Sequence, residues 1–552
     1  MNKSWWKEAI VYQIYPRSFN DANADGIGDL RGIIDKIDYI ASLGINTIWL
    51  NPVYESPFDD MGYDIADYKN IASCFGSMAD FDELLEKAHQ RDIRILMDLV
   101  VNHCSDEHHW FTEAKQSKQS PYHDYFVWRD AGESREHPNN WISFFSGPAW
   151  EYNPQTDEYY LHYFSKKQPD LNWENPNVRE EVQGIMEFWL AKGVDGFRMD
   201  VIGLISKPPG LPDIPEDTHD IGAFYNNGPR LHEFLQDIHA KVLSRYDCMT
   251  VGECPGATAE DALLLCGEDR RELQTLFHFE AMDVDKRSAE HYEVGKVSVP
   301  KLREVMQKWH DTLYGKSWNS AYLMNHDQPR SVSRFGDDDR YRIESAKMLA
   351  TFQLTQWGTP YIYQGEEIGM TNCHFEPQEF RDIQMINYYR EQRELGKSKE
   401  ELLPGLLYKG RDNSRTPMQW DSSKNAGFSS SDNTWIKINP NYPAINVDAA
   451  ERDPESILHY YRSAIALRKA HPILTYGRQE LIELGDDALY GYLRKDEQEE
   501  LWVILSFDAG EKPIRLKGLN QCQPLLGNYP APSLKEEQLT LRPYEALVLK
   551  RH

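Results

Sequence analysis

Residues 196–201 read GFRMDV, a short apolar segment that carries Asp200 near its end. Two later segments have the same form, since residues 249–253 read MTVGE and end on Glu253, and residues 322–327 read YLMNHD and end on Asp327. Each is rich in β-forming residues, which is typical of a buried strand. A helix N-cap or a loop turn would explain any one carboxylate alone. Three at the ends of successive strands predict the carboxyl-terminal face of a (β/α)8 barrel, where such barrels carry their active sites.

The rest of the chain repeats the alternation of strand and helix that a barrel requires. Helical patterns cover residues 30–43, 78–91, 178–192, 229–244, 299–314 and 341–356. Strand patterns cover residues 9–15, 46–50, 93–101, 194–201, 248–252, 275–279, 320–324 and 360–363. Because crossovers between strands of one sheet are right-handed, this order predicts a parallel sheet.

Two stretches interrupt this rhythm and predict further domains. Residues 104–173 are dense in aromatic side chains, and a long insertion after the third strand is expected to form a small subdomain over the active site. Residues 476–552 alternate apolar and polar side chains, as an antiparallel β domain does, with strands expected at 489–493, 500–507, 512–516 and 539–549. The barrel itself is assigned to residues 1–103 and 174–475.

Composition narrows the classes of function. The net charge is −28, from 88 acidic and 60 basic residues, which argues against nucleic acid and anionic membranes as partners. No apolar run is long enough to span a membrane, and no signal-peptide core is evident. The seven cysteines are scattered without a CxxC pair, which is typical of reduced thiols. We therefore expect a cytoplasmic protein, and we expect it to be a monomer.

Side chains beside the three carboxylates suggest how they are used. Arg198 lies two positions before Asp200, and alternation along a strand points both to the same side. A guanidinium group there would keep Asp200 ionised and oriented, as a nucleophile requires. Asn102 and His103 leave the third strand, either to cap the next helix or to donate hydrogen bonds to ligand hydroxyls.

Four ordered blocks make the resemblance specific. The segments DLVVNH (98–103), GFRMDV (196–201), TVGE (250–253) and MNHDQPR (324–330) resemble the conserved blocks of the α-amylase superfamily of retaining α-glycosidases. The segments DMGYD (60–64), QPDLN (168–172), GTPYIYQGE (358–366) and GRDNSRTPMQW (410–420) resemble the oligo-1,6-glucosidase and dextran glucosidase branch. The resemblance runs from residue 5 to the last strand.

The resemblance implies a mechanism and a set of roles. Asp200 would be the nucleophile, Glu253 the general acid and base, and Asp327 the carboxylate that stabilises the transition state. Two carboxyl groups acting in this way are expected about 5–5.5 Å apart. Asp60 and Arg411 would close the pocket beyond one terminal glucose, which makes attack exo. The resemblance also implies that the following residues contact the sugar: Tyr63, His103, Phe164, Gln168, Arg198, Val201 and His326.

The loop after the first strand resembles the start of an EF-hand. Oxygen ligands at alternate positions, with glycine at the sixth, predict a structural Ca²⁺ site, with Mg²⁺ as the alternative. The closing glutamate of an EF-hand is absent, because Gly32 stands there. The same loop misses the spacing of a dinucleotide fingerprint, and we expect no organic cofactor. The proposed ligands are Asp21, Asn23, Asp25, Ile27 and Asp29.

Only a few residues bear on which glycosidic linkage the enzyme prefers. Val201 follows the nucleophile, as in the branch that prefers α-1,6 bonds, although it could equally be a core valine. Met61, Gly203, Cys254 and the pair Leu323-Met324 depart from the pattern of the branch. Of these, Met61 and Gly203 lie where the resemblance places the second sugar, so the preference for that sugar is left open. We therefore expect an exo-acting α-glucosidase for isomalto-oligosaccharides. The alternatives are a maltose- or sucrose-preferring α-glucosidase, a trehalose-6-phosphate hydrolase, a sucrose isomerase, or a barrel homologue that has lost catalysis and serves a transporter.

Overall fold

Eight parallel strands form the central sheet, in a computed structural model that describes residues 2–131, 136–218, 221–288, 290–532, 534 and 536–552. Their order around the sheet is the sixth, fifth, fourth, third, second, first, eighth and seventh along the chain. This is the (β/α)8 barrel that the sequence predicts, and every predicted barrel strand is present. The strands are Val11–Ile14, Thr47–Leu50, Arg94–Val100, Gly196–Asp200, Met249–Glu253, Thr275–Phe277, Ser320–Tyr322 and Thr359–Tyr363.

Side chains close the barrel between its sixth strand, Thr275–Phe277, and its seventh strand, Ser320–Tyr322. The hydroxyl groups of Thr275 and Ser320 lie 2.9 Å apart, and the Tyr322 hydroxyl donates to the carbonyl oxygen of His278 at 2.7 Å. The rings of Phe277 and Tyr322 meet edge to face with centroids 5.1 Å apart. The other seven neighbouring pairs are joined by backbone ladders.

Helices surround the barrel, and local capping explains where several begin. Ser77 and Asp80 form a capping box on one helix, and Thr258 and Asp261 form another. The predicted helix at 30–43 is two shorter helices that meet at Lys36. The helices that follow barrel strands are Leu30–Asp35, Ile37–Ser42, Met78–His89, Pro176–Lys192, Leu231–Lys241, Ala259–Cys266, Val299–Leu313, Arg342–Thr355 and Ile457–Ala470. Shorter or peripheral helices are His109–Ala114, Ile221–Tyr225, Ser331–Phe335, Ile383–Glu394, Lys399–Lys409, Asp412–Arg415, Val447–Arg452 and Ile473–Tyr476.

The insertion after the third barrel strand contains its own small sheet. Glu158–Leu161 lies between Trp128–Asp130 and Trp150–Asn153, and both pairings are antiparallel. A single bridge joins His103, the last residue of the barrel segment, to Asp170, near the end of the insertion. A second bridge, between Phe126 and Leu171, lies within the insertion. A hairpin of Tyr54–Glu55 and Asp67–Ile71 lies between the second and third barrel strands.

The C-terminal region is the antiparallel β domain that the sequence predicts. Its main sheet has five strands, in the order Arg478–Ile482, Leu489–Lys495, Glu500–Ser506, Ala546–Arg551 and Cys522–Gly527. Lys512–Arg515 pairs separately with Gln538–Leu541. The prediction of a single strand at 539–549 is wrong. The chain turns at Pro543 and Tyr544, where Tyr544 has a φ of 51°. No helix among the described residues has the length and apolar character that a membrane span needs.

Candidate active site

Arg198 is the centre of the site at the carboxyl end of the barrel. Its Nη1 donates to Asp98 Oδ1 at 2.7 Å and to Asp200 Oδ1 at 2.6 Å, while Nη2 donates to Glu253 Oε2 at 2.5 Å. The three carboxylates come from the third, fourth and fifth strands, which are neighbours in the sheet. Arg198 is fully buried and the carboxylates nearly so, so these contacts are shielded from water.

Sharing one guanidinium group changes the protonation expected for Asp200. Burial raises the pKa of Asp200 well above its ordinary value, and the neighbouring carboxylates of Glu253 and Asp98 raise it further, against the opposing charge of Arg198. Arg198 bonds Asp200 and Glu253 alike, so it does not by itself distinguish the two carboxyl groups. One cation faces three carboxyl groups in a dry pocket, and this favours retention of a proton within the cluster.

Val201 links the nucleophile segment directly to Glu253. Its backbone N–H donates to Glu253 Oε2 at 3.2 Å, so both of the hydrogen bonds to Glu253 seen among the described residues end on the same oxygen. Val201 has φ 35° and ψ 39°, a left-handed conformation that is costly for a β-branched residue. Its side chain is buried in a cluster with Leu204 and Tyr225. The backbone strain therefore places an N–H where it orients the acid.

Asp327 lies in a separate, more cationic part of the site. His326 Nε2 is 3.1 Å from its Oδ2, and Arg411 and Arg415 lie 3.1 and 2.8 Å from its Oδ1. Burial alone would raise the pKa of Asp327, but His326, Arg411 and Arg415 together lower it well below its ordinary value. The Gln13 amide group donates to His326 Nδ1 at 3.0 Å, which leaves Nε2–H to donate to the carboxylate. Asp327 is thus held ionised.

The wall of the pocket joins these two clusters. Tyr63 donates from its hydroxyl to Asp98 at 3.0 Å and stacks on His326 with centroids 5.1 Å apart. His103 donates from Nε2 to the carbonyl oxygen of Tyr63 at 3.0 Å, and burial lowers the pKa of His103 to about 4. The imidazole is therefore neutral at physiological pH.

The insertion adds two of the predicted side chains to the wall. Gln168 donates from Nε2 to Asp60 Oδ2 and to the carbonyl oxygen of Tyr63, both at 3.1 Å. The Phe164 ring lies 5.2 Å from that of His103. On the other side of Asp60, its Oδ1 is 3.3 Å from Arg411 Nη2. The residues predicted to contact the sugar thus form one connected lining.

Sequence reasoning missed several members of this network. Asp382 accepts from Arg411 and from Arg415, and it also caps the helix Ile383–Glu394 by accepting from Met385 N. It lies in no recognisable strand-end segment, so only the folded chain brings it to the site. The sequence predicts a strand around Asp98 but no role for its carboxylate. The Phe145 ring, which lies 5.0 Å from the Arg411 guanidinium carbon, gave no signal in the sequence.

The loop proposed as a cation site is folded around its own backbone amides. Asp21 accepts from the N–H groups of Ala24 and Gly26 at 2.7 and 2.8 Å, and from Ser429 Oγ at 2.5 Å. Asp29 accepts from Ala22 N at 3.0 Å. Among the described residues, no three His, Cys, Asp or Glu side chains converge as a metal cluster. The proposed ligands are nevertheless all oxygen donors, namely carboxylates, one side-chain amide and one backbone carbonyl group, and such a set suits Ca²⁺ or Mg²⁺.

A (β/α)8 barrel whose acid residues meet on one buried arginine has the layout of a glycoside hydrolase. Comparison with protein families agrees, since residues 13–477 match the alpha amylase catalytic domain. The chain belongs to the alpha-amylase family of glycoside hydrolases.

Individual relatives extend over the whole chain. It is 54% identical to the oligo-1,6-glucosidase of Parageobacillus thermoglucosidasius, covering 100% of this chain and 99% of that protein. It is 52% identical to the oligo-1,6-glucosidase of Bacillus cereus, with 100% of both chains covered. Among solved structures, trehalose-6-phosphate hydrolase of Bacillus licheniformis is 44% identical with a TM-score of 0.93, covering 99% of this chain and 100% of that one. The trehalulose synthase of Pseudomonas mesoacidophila is 42% identical with a TM-score of 0.96, with 100% of both chains covered.

Proposed function

We propose that the protein is an exo-acting, retaining α-glucosidase that releases glucose from the non-reducing end of α-1,6-linked isomalto-oligosaccharides. The observation that carries this proposal is the contact of Asp200 and Glu253 with the two Nη atoms of Arg198. Two carboxyl groups held close together on one face are what a double displacement needs. The oligo-1,6-glucosidase relatives support the substrate class.

The chemistry follows from these two groups. Asp200 attacks the anomeric carbon while Glu253 transfers its proton to the departing glycosidic oxygen, and a glucosyl ester of Asp200 results. Glu253 then removes a proton from water, which attacks the same carbon and restores Asp200. Asp327, held ionised, stabilises the positive charge that develops on the sugar.

Exo action is supported by the far end of the pocket. Arg411 pairs with both Asp60 and Asp327, and Gln168 from the insertion bonds Asp60 in turn. In this proposal the network closes the site beyond one terminal glucose, and attack is therefore exo.

Two measurements test this proposal. NMR of the first glucose formed from p-nitrophenyl α-glucoside, whose other product is not a sugar, should show the α-anomer before mutarotation, and β-glucose would reject the double displacement. A panel of kcat/KM values for isomaltose, maltose, sucrose and trehalose 6-phosphate should rank isomaltose first. A preference for the phosphorylated disaccharide, or a product isomeric with sucrose, would favour the activity named for one of the two solved relatives.

We also propose that the loop of Asp21, Asn23, Asp25, Ile27 and Asp29 binds a structural divalent cation, Ca²⁺ or Mg²⁺. Support comes from its all-oxygen donor set and from Asp29, where burial raises the pKa and Asp21 adds to the rise. A cation would offset the crowding of these two carboxylates. The ion would stabilise the loop and take no part in the reaction.

Cellular context is the last part of the proposal. Seven cysteines are free and five of them are buried, which is compatible with a reducing compartment, and we infer a cytoplasmic location. We infer a monomer with no nucleic acid, membrane or organic cofactor as partner. Size-exclusion chromatography with light scattering checks the oligomeric state.

A further inference from the structure

A short segment, Tyr225–Gly228, contacts both of the loops that follow the catalytic carboxylates, and we name it the clamp. The backbone N–H of Asn227 donates to the carbonyl oxygen of Gly203 at 2.9 Å, in the loop after Asp200. The carboxamide of Asn226 donates to the carbonyl oxygen of Pro255, in the loop after Glu253. Neighbouring residues of one segment therefore bond the two catalytic strand ends.

The orientation of the Asn226 carboxamide is fixed by its surroundings. Its Nδ2 also donates to the carbonyl oxygen of Gly222 at 2.8 Å, so both contacts of this nitrogen are with acceptors. Its Oδ1 is buried without a partner among the described residues. This oxygen faces Gly203, where an added Cβ would lie 2.4 Å from it. Because residue 203 is a glycine, the Asn226 carboxamide has room to pass it and to reach the carbonyl oxygen of Pro255.

The clamp is itself packed tightly on the nucleophile loop and strained. A Cβ on Gly228 would lie 1.8 Å from the carbonyl oxygen of Ser206, so the two backbones are in close contact. Asn227 has a φ of 55°, and Val201, at the start of the same loop, has a φ of 35°. Such conformations persist where the surrounding contacts over-determine them.

The other end of the clamp reaches the insertion. The Tyr225 hydroxyl donates to the carbonyl oxygen of Ile142 at 3.0 Å and accepts from its N–H at 3.1 Å. The rings of Tyr225 and Tyr163 stack with centroids 4.4 Å apart. One segment therefore ties the insertion, the Asp200 loop and the Glu253 loop together.

We propose that the clamp sets the position of Glu253 relative to Asp200, and that Asn226 is the positioning residue on which it depends. This inference rests on the proposed glucosidase function. Asn226 acts through the loop that begins at Cys254, and its carboxamide touches no reacting atom. A small displacement of Glu253 weakens proton transfer to the leaving oxygen, because that transfer needs hydrogen-bond distance.

The test is Asn226→Ala assayed on isomaltose and on p-nitrophenyl α-glucoside. The kcat/KM for isomaltose should fall about 10- to 100-fold, as an error of roughly 1 Å in placement can cause. The aryl glucoside should lose much less, because its leaving group needs little protonation. The matched control is Asn528→Ala, which removes a carboxamide that donates to the carbonyl oxygens of Glu344 and Tyr544, away from both catalytic loops. The control should affect both substrates equally.

Gly203→Ala provides a second route to the same contact. Its new Cβ displaces the Asn226 carboxamide, so this variant should show the same selective loss on isomaltose. The double variant Gly203→Ala with Asn226→Ala should be no worse than either single variant, because all three lose one shared contact. Additive losses would overturn the assignment, as would equal losses on the two substrates in Asn226→Ala.

Amide hydrogen exchange provides a readout independent of activity. In Asn226→Ala, exchange should increase in both loops, residues 201–206 and residues 254–257, relative to the wild type and to Asn528→Ala. An increase in neither loop, or in one only, would reject the clamp. If the wild type releases no glucose from either substrate, the proposed function fails, and the exchange result still decides on the clamp.

Discussion

Nη2 of Arg198 lies 2.5 Å from Oε2 of Glu253, the group assigned as the general acid. A cation beside an acid favours its ionised form, whereas a general acid must hold a proton until the leaving oxygen accepts it. Asp98 and Asp200 share the same guanidinium group, so its single positive charge is divided among three carboxyl groups and is not directed at Glu253 alone. Arg198 also fixes where the three carboxyl groups lie.

Glu253→Gln should reveal the role of this proton. The change removes general acid catalysis, which contributes about 10²–10⁴-fold, so kcat for isomaltose should fall by that order. Activated aryl glucosides should lose less in the step that forms the glucosyl enzyme. Steady-state and burst kinetics on the two substrates provide the measurement. Equal losses on both would mean that Glu253 is not the acid.

Asp200→Asn should abolish turnover and leave the fold intact, because an amide of equal size cannot attack the anomeric carbon. Burial and neighbouring carboxylates already oppose ionisation of Asp200, so its neutral replacement should not lower the melting temperature. Thermal unfolding and glucose release, measured on the same preparation, check both parts. Residual turnover that a nucleophile inhibitor still blocks would place the nucleophile elsewhere.

Val201→Thr should shift the ratio of kcat/KM from isomaltose toward maltose. The side chains have nearly the same volume, and threonine adds a hydroxyl group that can bind an α-1,4-linked second sugar. Discrimination at one such position is typically about 1–3 kcal/mol, or roughly 10–200-fold. Competition between the two disaccharides measures the ratio. A wild type that hydrolyses both equally well would leave Val201 as a core valine only.

Chelation should lower the melting temperature if the loop Asp21–Asp29 holds a cation. A ligand that binds only the native state stabilises it by about 2.7 kcal/mol at a hundredfold excess over Kd. Calorimetry with and without a chelator, together with elemental analysis, gives the answer. Asp25→Ala is the matched variant, and its melting temperature should no longer respond to added Ca²⁺. The site would be ruled out if chelation left the melting temperature of the wild type unchanged and elemental analysis found no metal.

Acid should destabilise the protein partly through His103. The pKa of His103 is about 4 in the folded state against an ordinary value of 6.5, so the unfolded chain binds this proton first as the pH falls. The contribution of His103 to the free energy of unfolding is fully present above pH 6.5 and is lost as the pH falls to 4. The loss is about 3 kcal/mol for the full difference. His103→Gln should show a shallower fall in unfolding free energy over that range in urea titrations, and a parallel curve would contradict this.

Much of the barrel could be predicted because each strand is a short apolar run with its own local signal. Asp200, Glu253 and Asp327 were found in the same way, since each ends such a run. The exact ends of strands were harder, as at 539–549, where a turn at Tyr544 interrupts an otherwise continuous apolar pattern. Turn geometry in such a place depends on tertiary contacts.

Other parts of the site carry no local pattern at all. Asp382 precedes a helix and looks like an ordinary cap, which it also is, yet its second oxygen holds Arg411 and Arg415. The shared role of Arg198 could not be seen either, because alternation along one strand says nothing about the neighbouring strand that brings Glu253 to it. Partners from separate elements are fixed only when the sheet order is known.

The closure between Thr275–Phe277 and Ser320–Tyr322 has a mechanical consequence. A barrel joined by ladders at seven places and by side chains at the eighth has one preferred line along which it can part. One strand, Thr275–Phe277, separates Met249–Glu253 from that line. Gly196–Asp200 lies one strand further away from it. Any opening along this line would therefore reach the acid before the nucleophile. The two catalytic groups lie at unequal distances from the closure, with one strand between it and Glu253 and two between it and Asp200.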